Sequence, residues 1–283
     1  MTSDPSDAAD EEPGSTSGRA GRDLPAAIAV GVVLLALIGA ALFFERALFL
    51  IVVVAAIGLA VWELATALST NRIRVPLPPL LVGCAVMIVG TYFGGMQVAM
   101  VVLALTFVAI LGWRLPGGAH GYVRDVTAAV FTAVYLPFLA TFVVLMLRPD
   151  DGHWRVLTFI VVTACSDIGG YAAGVLFGRH PMAPTISPKK SWEGVAGSVV
   201  LCTAAGVAAV TVLLDGAWWV GVLLGLVTVV TATMGDLGES MIKRDLGVKD
   251  MSSLLPGHGG LMDRLDSLLF TVAFTWMILH WLV

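Results

Sequence analysis

Charge is scarce in this chain. Asp, Glu, Lys and Arg make up 13% of its 283 residues, hydrophobic residues 58%, and mean hydropathy is +0.92. That balance excludes an ordinary water-soluble domain and places the chain among polytopic membrane proteins. Cysteine is scarcer still: Cys84, Cys165 and Cys202 stand in separate apolar segments with no Cys-x-x-Cys pair. A zinc knuckle and a disulfide framework are therefore excluded, and the thiols read as buried and inert. Basic charge is not in excess. Net charge is -4, and residues 1–23 alone account for it with six acids against Arg19 and Arg22. The remainder holds 14 acids and 14 bases, so no nucleic-acid footprint is present. A secretory signal would begin with basic residues, whereas acids stand here. The tail is rich in Ser, Gly, Pro, Asp and Glu, a composition that predicts disorder. No internal repeat of fixed period is visible.

What the chain does have is apolar length. Runs near 20 residues predict membrane-spanning helices. Nine are expected, at roughly 25–44, 47–68, 77–94, 96–113, 124–147, 154–178, 193–214, 217–236 and 265–283. The fold class is thus an all-α polytopic membrane protein. It divides into an acidic tail at 1–23, N-terminal helices at 24–150 and a C-terminal region at 151–283. Assigning the tail and every second loop to one side places 13 of the 16 Lys and Arg there. Only Arg46, Arg148 and Arg155 fall on the other. The positive-inside rule then predicts a cytoplasmic N-terminus, an external C-terminus and a cell-membrane location. Both large polar loops, 179–192 and 237–264, face the cytoplasm in that topology.

The charge that exists is concentrated. Residues 235–267 hold six Asp or Glu and four Lys or Arg in 33 positions, with a Gly-Gly pair. Charge this dense beside bilayer-spanning segments is expensive and marks a reaction or transport path. Asp236, Ser240 and Lys243 are spaced i, i+4, i+7 and share a face if the eighth span continues as a helix. Asp263 and Asp266 share a face at the start of the ninth. Three carboxylates at two converging helix ends suit a hard cation that also takes phosphate oxygens. Between them, Gly259 and Gly260 free the backbone to cradle phosphate, and His258 supplies a donor. Upstream, Ser187, Lys189 and Lys190 precede Ser191, an N-cap for the seventh span, which makes an anion site. Two acids lie within spans. Asp167 sits among Gly169, Gly170 and Gly174, which allow close approach of a helix or ligand. Glu63, toward the cytoplasmic end of the second span, reads either as a functional acid or as an interfacial partner of Arg72 or Arg74.

These residues resemble the phosphatidate cytidylyltransferase family, the CDP-diacylglycerol synthases. The family's Ser-x-x-Lys-Arg, Lys-Asp and His-Gly-Gly-x-x-Asp-Arg-x-Asp pattern is met, with its spacing, by Ser240, Lys243, Arg244, Lys249, Asp250, His258, Gly259, Gly260, Asp263, Arg264 and Asp266. A second run matches through Asp167, Tyr171, Gly174, Phe177 and Gly178, followed by SPKKSWEG. Ser191 stands where the family has Thr, and Gly170 where it has Ala. The likeness covers about 157–283, and the signature motif spans 240–266.

The resemblance implies transfer of CMP from CTP to phosphatidate, giving CDP-diacylglycerol and pyrophosphate. It implies catalytic roles for Asp167, Lys243, Arg244, Lys249, His258 and Arg264. Ser187, Lys189, Lys190, Ser240, Gly259 and Gly260 would bind substrate, and Asp236, Asp263 and Asp266 would hold Mg²⁺, with room for a second cation. CTP and phosphatidate are the implied partners, in the membrane and without nucleic acid; monomer and homodimer both stay open. An ion-coupled transporter would show inverted repeats and broken helices in both halves, but polar interruptions occur only in the C-terminal half. A CDP-alcohol phosphatidyltransferase would carry Asp-x-x-Asp-Gly-x-x-Ala-Arg, which is absent.

Overall fold

A computed structural model describes residues 33, 36–252, 254 and 259–283. The acidic tail, the start of the first expected span and His258 lie outside the described residues. Helix α1 covers 36–44 and α2 Arg46–Thr70. Then follow α3 Leu77–Arg114, α4 Tyr122–Ala133, a π turn at Val134–Phe138 and α5 Leu139–Leu147. The C-terminal half holds α6 Gly152–Phe177, α7 Trp192–Leu213, α8 Trp218–Leu246 and α9 Met262–Leu282. Between α6 and α7 lies an unexpected hairpin, β1 Pro181–Ala183 paired antiparallel with β2 Ser187–Ser191.

Seven helices among the described residues are long and apolar enough to cross a membrane, counting α4 to α5 as one. Pro137 explains the π turn in that span: it has no N–H to donate, so the ladder slips by one residue. Helix α3 is a hairpin of two arms. Gly95 adopts φ 68 and ψ -161, a conformation that favours glycine, and the chain reverses there. Gly83 packs on Thr106, and a Cβ at Gly90 would sit 2.9 Å from Val98, so partners recede in step on either side of Gly95. The arms coincide with the expected spans at 77–94 and 96–113. The first of the nine expected spans begins outside the described residues.

Helix ends sort into two groups. At one end Arg46 donates to the Pro149 and Asp150 carbonyls (3.1 and 3.3 Å). There the turn at Gly95 meets the Arg148 guanidinium, and Arg155 donates to the Leu279 carbonyl at 2.5 Å. At the opposite end Arg124 donates to the Arg72 carbonyl (2.6 Å), Asn71 to the Leu246 carbonyl (3.1 Å), and Arg114 pairs with Asp125 (2.9 Å). Of the 14 Lys and Arg among described residues, 11 lie at this second end. The loop alternation expected from the spans is therefore present in three dimensions.

Glycine sets the spacing of the C-terminal helices. A Cβ at Gly169 of α6 would stand 2.6 Å from the Gly197 carbonyl of α7, and one at Gly225 of α8 would stand 2.7 Å from the Cys202 carbonyl. With no Cβ in the way, backbones approach closely, and in lipid that contact and interhelical hydrogen bonds replace the hydrophobic effect. Ser198 donates to the Ser166 carbonyl (2.6 Å) across the α6–α7 seam, and Thr231 donates to Thr271 (3.2 Å) between α8 and α9. All three cysteines are free thiols, Cys84 and Cys202 fully buried.

Candidate active site

Helix α8 continues past the expected span end at 236 to Leu246, into the stretch expected as loop, which meets the condition for Asp236, Ser240 and Lys243 to share a face. Asp236, Glu239, Ser240 and Lys243 line one face of it and open into a cavity of about 450 Å³. The helix stops at Gly247, which takes φ 70 and returns its N–H to the Arg244 carbonyl. Helix α9 runs back alongside and brings Asp263, Arg264 and Asp266 to the same cavity. Gly235 makes this possible: its backbone lies against the Asp266 carbonyl, and a Cβ there would stand 2.5 Å from that oxygen. Asp236 and Asp266 are consequently within hydrogen-bonding reach of each other. Asp167 enters from α6, and its Oδ2 accepts from the Ser267 hydroxyl at 3.4 Å.

The β-hairpin closes the remaining side. Ser187, Lys189 and Lys190 face the cavity from β2, and Lys190 Nζ donates to Asp236 Oδ2. Ser191 caps α7, its Oγ accepting from Gly194 N at 3.1 Å, as its position before the seventh span predicts. Glu193 steadies the hairpin's entry by accepting from the Arg179 and His180 N–H groups (3.1 and 3.2 Å).

Five carboxylates and four cationic side chains thus share one cavity. Lys243 is held between Glu239 (2.7 Å) and Asp263 (3.0 Å). Asp263 also accepts from Met251 N (3.1 Å) and Gly260 N (2.7 Å), so both its oxygens are engaged by lysine and loop. Glu239 differs: its side chain is 1% exposed, and its Oε1 has no hydrogen-bond partner. Among the described residues no three Asp, Glu, His or Cys side chains are already gathered as a ligand cage. The donor chemistry nevertheless fits a hard divalent cation. Asp236 stands against Asp266, and an unpartnered carboxylate oxygen of Glu239 lies on the same face; cations prefer such paired oxygens.

That constellation belongs with a family match. Residues 25–282 match the Cytidylyltransferase family. The chain belongs to that family. Among its relatives, a phosphatidate cytidylyltransferase of Mycobacterium bovis is 43% identical over 97% of this chain and 94% of its own length. One of Mycobacterium leprae is 42% identical over 92% and 89% respectively. A phosphatidate cytidylyltransferase of Haemophilus influenzae is 39% identical over 49% of this chain and 52% of its own length.

The structure gathers most of the expected cytidylyltransferase residues. Asp167, Ser187, Lys189, Lys190, Asp236, Ser240, Lys243, Asp263, Arg264 and Asp266 all line the cavity. Arg244 and Lys249 are exposed and lie outside that lining. Gly259 and Gly260 sit behind Asp263, where a Cβ would stand 3.1 and 3.0 Å from its Oδ2. Two acids escape a sequence reading of the site. Glu239 is legible as an i+3 neighbour of Asp236 on the same face. The structure corrects the reading of Glu63 as an interfacial partner of Arg72 or Arg74. It is 0% exposed and takes hydrogen bonds from Ser252 Oγ (2.5 Å), Leu261 N (2.9 Å) and Met262 N (2.8 Å). Its helix packs against the polar loop, so backbone N–H groups reach it before any arginine does.

Proposed function

We propose that this chain transfers the cytidylyl group of CTP to phosphatidate, releasing pyrophosphate and leaving CDP-diacylglycerol in the membrane. The observation that carries the reading is the cavity itself. Carboxylates for a cation and lysines for phosphates meet where α8 and α9 leave the apolar core. Its volume of about 450 Å³ lies in the range of small-molecule sites. Family membership over 25–282 and the names of the relatives support the same chemistry.

An oxygen of the lipid phosphate attacks the α-phosphorus of CTP. The bond from that phosphorus to the bridging oxygen of the β-phosphate breaks, and pyrophosphate leaves with the electron pair. Both reactants are anions, so the work is to hold them together and in line. Lys189 and Lys190 from β2, Lys243 from α8 and Arg264 from α9 supply positive charge to the phosphates. Asp236 and Asp266 would hold Mg²⁺, with Glu239 and Asp263 beside them. When bound, Mg²⁺ screens phosphate charge and stabilises the charge that moves onto pyrophosphate. A general base is unnecessary, because a phosphate monoester is largely dianionic near neutral pH. CTP enters from the cytoplasm and the lipid from the bilayer, consistent with the basic end of the molecule facing inward.

Purified protein in detergent tests the reading. Pyrophosphate release requires CTP, phosphatidate and Mg²⁺ together, the cytidine label enters a lipid-extractable product, and EDTA stops both. Release of CMP as the nucleotide product, or turnover without phosphatidate, would overturn the assignment.

A further inference from the structure

Glu63 lies in the N-terminal half of the chain, on α2, far in sequence from the motif it touches. It is fully buried, and among the described residues none of the ion pairs includes it. A buried carboxylate without a cationic partner is costly unless hydrogen bonds satisfy it. Among the described residues, its donors come from the segment that leads into α9. Oε1 accepts from Ser252 Oγ (2.5 Å) and Leu261 N (2.9 Å), and Oε2 accepts from Met262 N (2.8 Å). Leu261 and Met262 are the N-cap and first residue of a 21-residue helix, where unpaired N–H groups and the helix dipole favour an anion.

The same segment is gripped from its other side. Asp263 accepts from Met251 N and Gly260 N. Gly260 is squeezed between the two carboxylates: a Cβ there would stand 3.0 Å from Asp263 Oδ2 and 3.0 Å from Glu63 Oε2. No larger residue fits that gap without moving one of them. One turn further along α9, Asp266 meets Asp236. The position of the Glu63 carboxylate is therefore transmitted directly to the start of α9, which carries two of the cavity's acids, Asp263 and Asp266. Glu63 is not itself part of the cavity lining.

We propose that Glu63 is a positioning residue of the transfer site: it fixes the backbone at Leu261 and Met262 so that Asp263 and Asp266 face the cavity. The proposal rests on the cytidylyl-transfer reading for its kinetic consequence, but not for the contact itself. Misplacement by about 1 Å costs on the order of 10²-fold in rate at such sites. Loss of the clamp thus lowers kcat and leaves the helical core intact.

The test compares Glu63→Gln and Glu63→Asp with the native protein in detergent. Gln is isosteric, but its amide group turns a donor toward groups that are already donors. Asp keeps the charge and falls one methylene short. The readouts are kcat and KM for CTP, thermal midpoint, and amide hydrogen exchange resolved at Leu261 and Met262. The expected result for Glu63→Gln is a kcat reduced by about 10²-fold with KM changed much less. Exchange at residues 261–262 accelerates, while protection in α2 and α6 and the thermal midpoint stay near native. Glu63→Asp recovers part of both kcat and protection. Native kcat in Glu63→Gln overturns the proposal, as does a loss of kcat accompanied by general loss of protection in both variants. If the native protein shows no phosphatidate-dependent pyrophosphate release, the transfer reading fails, and the exchange data still decide whether Glu63 holds the loop.

Discussion

Gly235 of α8 lies directly against the Asp266 carbonyl of α9, with no space for a side chain between them. This contact sets the distance between two carboxylates on different helices. Gly235→Ala forces the helices apart at the cavity's floor. The expected outcome is near-complete loss of kcat in a protein that still inserts and purifies as a folded species. A Gly235→Ala protein with native kcat would show that the α8–α9 spacing does not govern the chemistry.

The three acids of the motif do different work and separate on mutation. Asp236→Asn and Asp266→Asn are expected to lower kcat by at least about 10²-fold and to weaken divalent-cation binding by about 10-fold or more. Mn²⁺ binding followed by electron paramagnetic resonance reads the second effect without turnover. Asp263→Asn is expected to speed amide exchange at Met251 and Gly260, because Asp263 accepts from both. If Asp263→Asn alters Mn²⁺ binding alone and leaves those amides protected, its hold on the loop is unimportant.

Two of the three cavity lysines, Lys190 and Lys243, differ in how deeply their acid partners are buried, so their removal differs in stability. Lys243 is shared by Glu239 and Asp263, whose side chains are 1% and 5% exposed. Lys243→Met leaves both buried acids without their cation and is expected to cost about 3 kcal/mol, visible as a lowered thermal midpoint. Lys190 and Asp236 are each about a quarter exposed. Lys190→Met is expected to cost less than about 1 kcal/mol while raising KM for CTP. Equal midpoints for the two variants would contradict this ranking.

Orientation is testable at two positions, exposed Asp245 and half-buried Val283. A cysteine replacing Asp245, at the end of α8, is expected to react with an impermeant thiol reagent only after the cytoplasmic face is opened. One replacing Val283 is expected to react from outside in intact cells. The reverse pattern would put the cavity on the wrong side for cytoplasmic CTP.

Much of this molecule is legible in its amino-acid order. Apolar length dictates membrane helices, because unpaired backbone groups are not tolerated in lipid. Basic residues dictate how loops alternate. Local spacing places Asp236, Ser240 and Lys243 on one helical face, since a helix's period is fixed by its own backbone. The same logic identifies Ser191 as a cap. The shared helical face and the cap are short-range properties, and both hold in the fold.

What lies beyond the sequence are the relations between distant segments. Nothing local to Glu63 announces that Met262, 199 positions later, will donate to it. Neighbouring Arg72 and Arg74 make the wrong partner look adequate. Nothing local to Gly235 says which helix will press against it, although its lack of a Cβ makes some close contact possible. The hairpin at 181–191 is hidden because its strands are short and pair through backbone groups, which leave little mark on side-chain pattern. Sequence by itself determined the helices, their alternation and the stock of charged groups. Only the tertiary structure decided which carboxylates stand together and which one holds the loop. Those choices are made by interhelical contacts, and such contacts depend on the packing of the whole bundle rather than on any one segment.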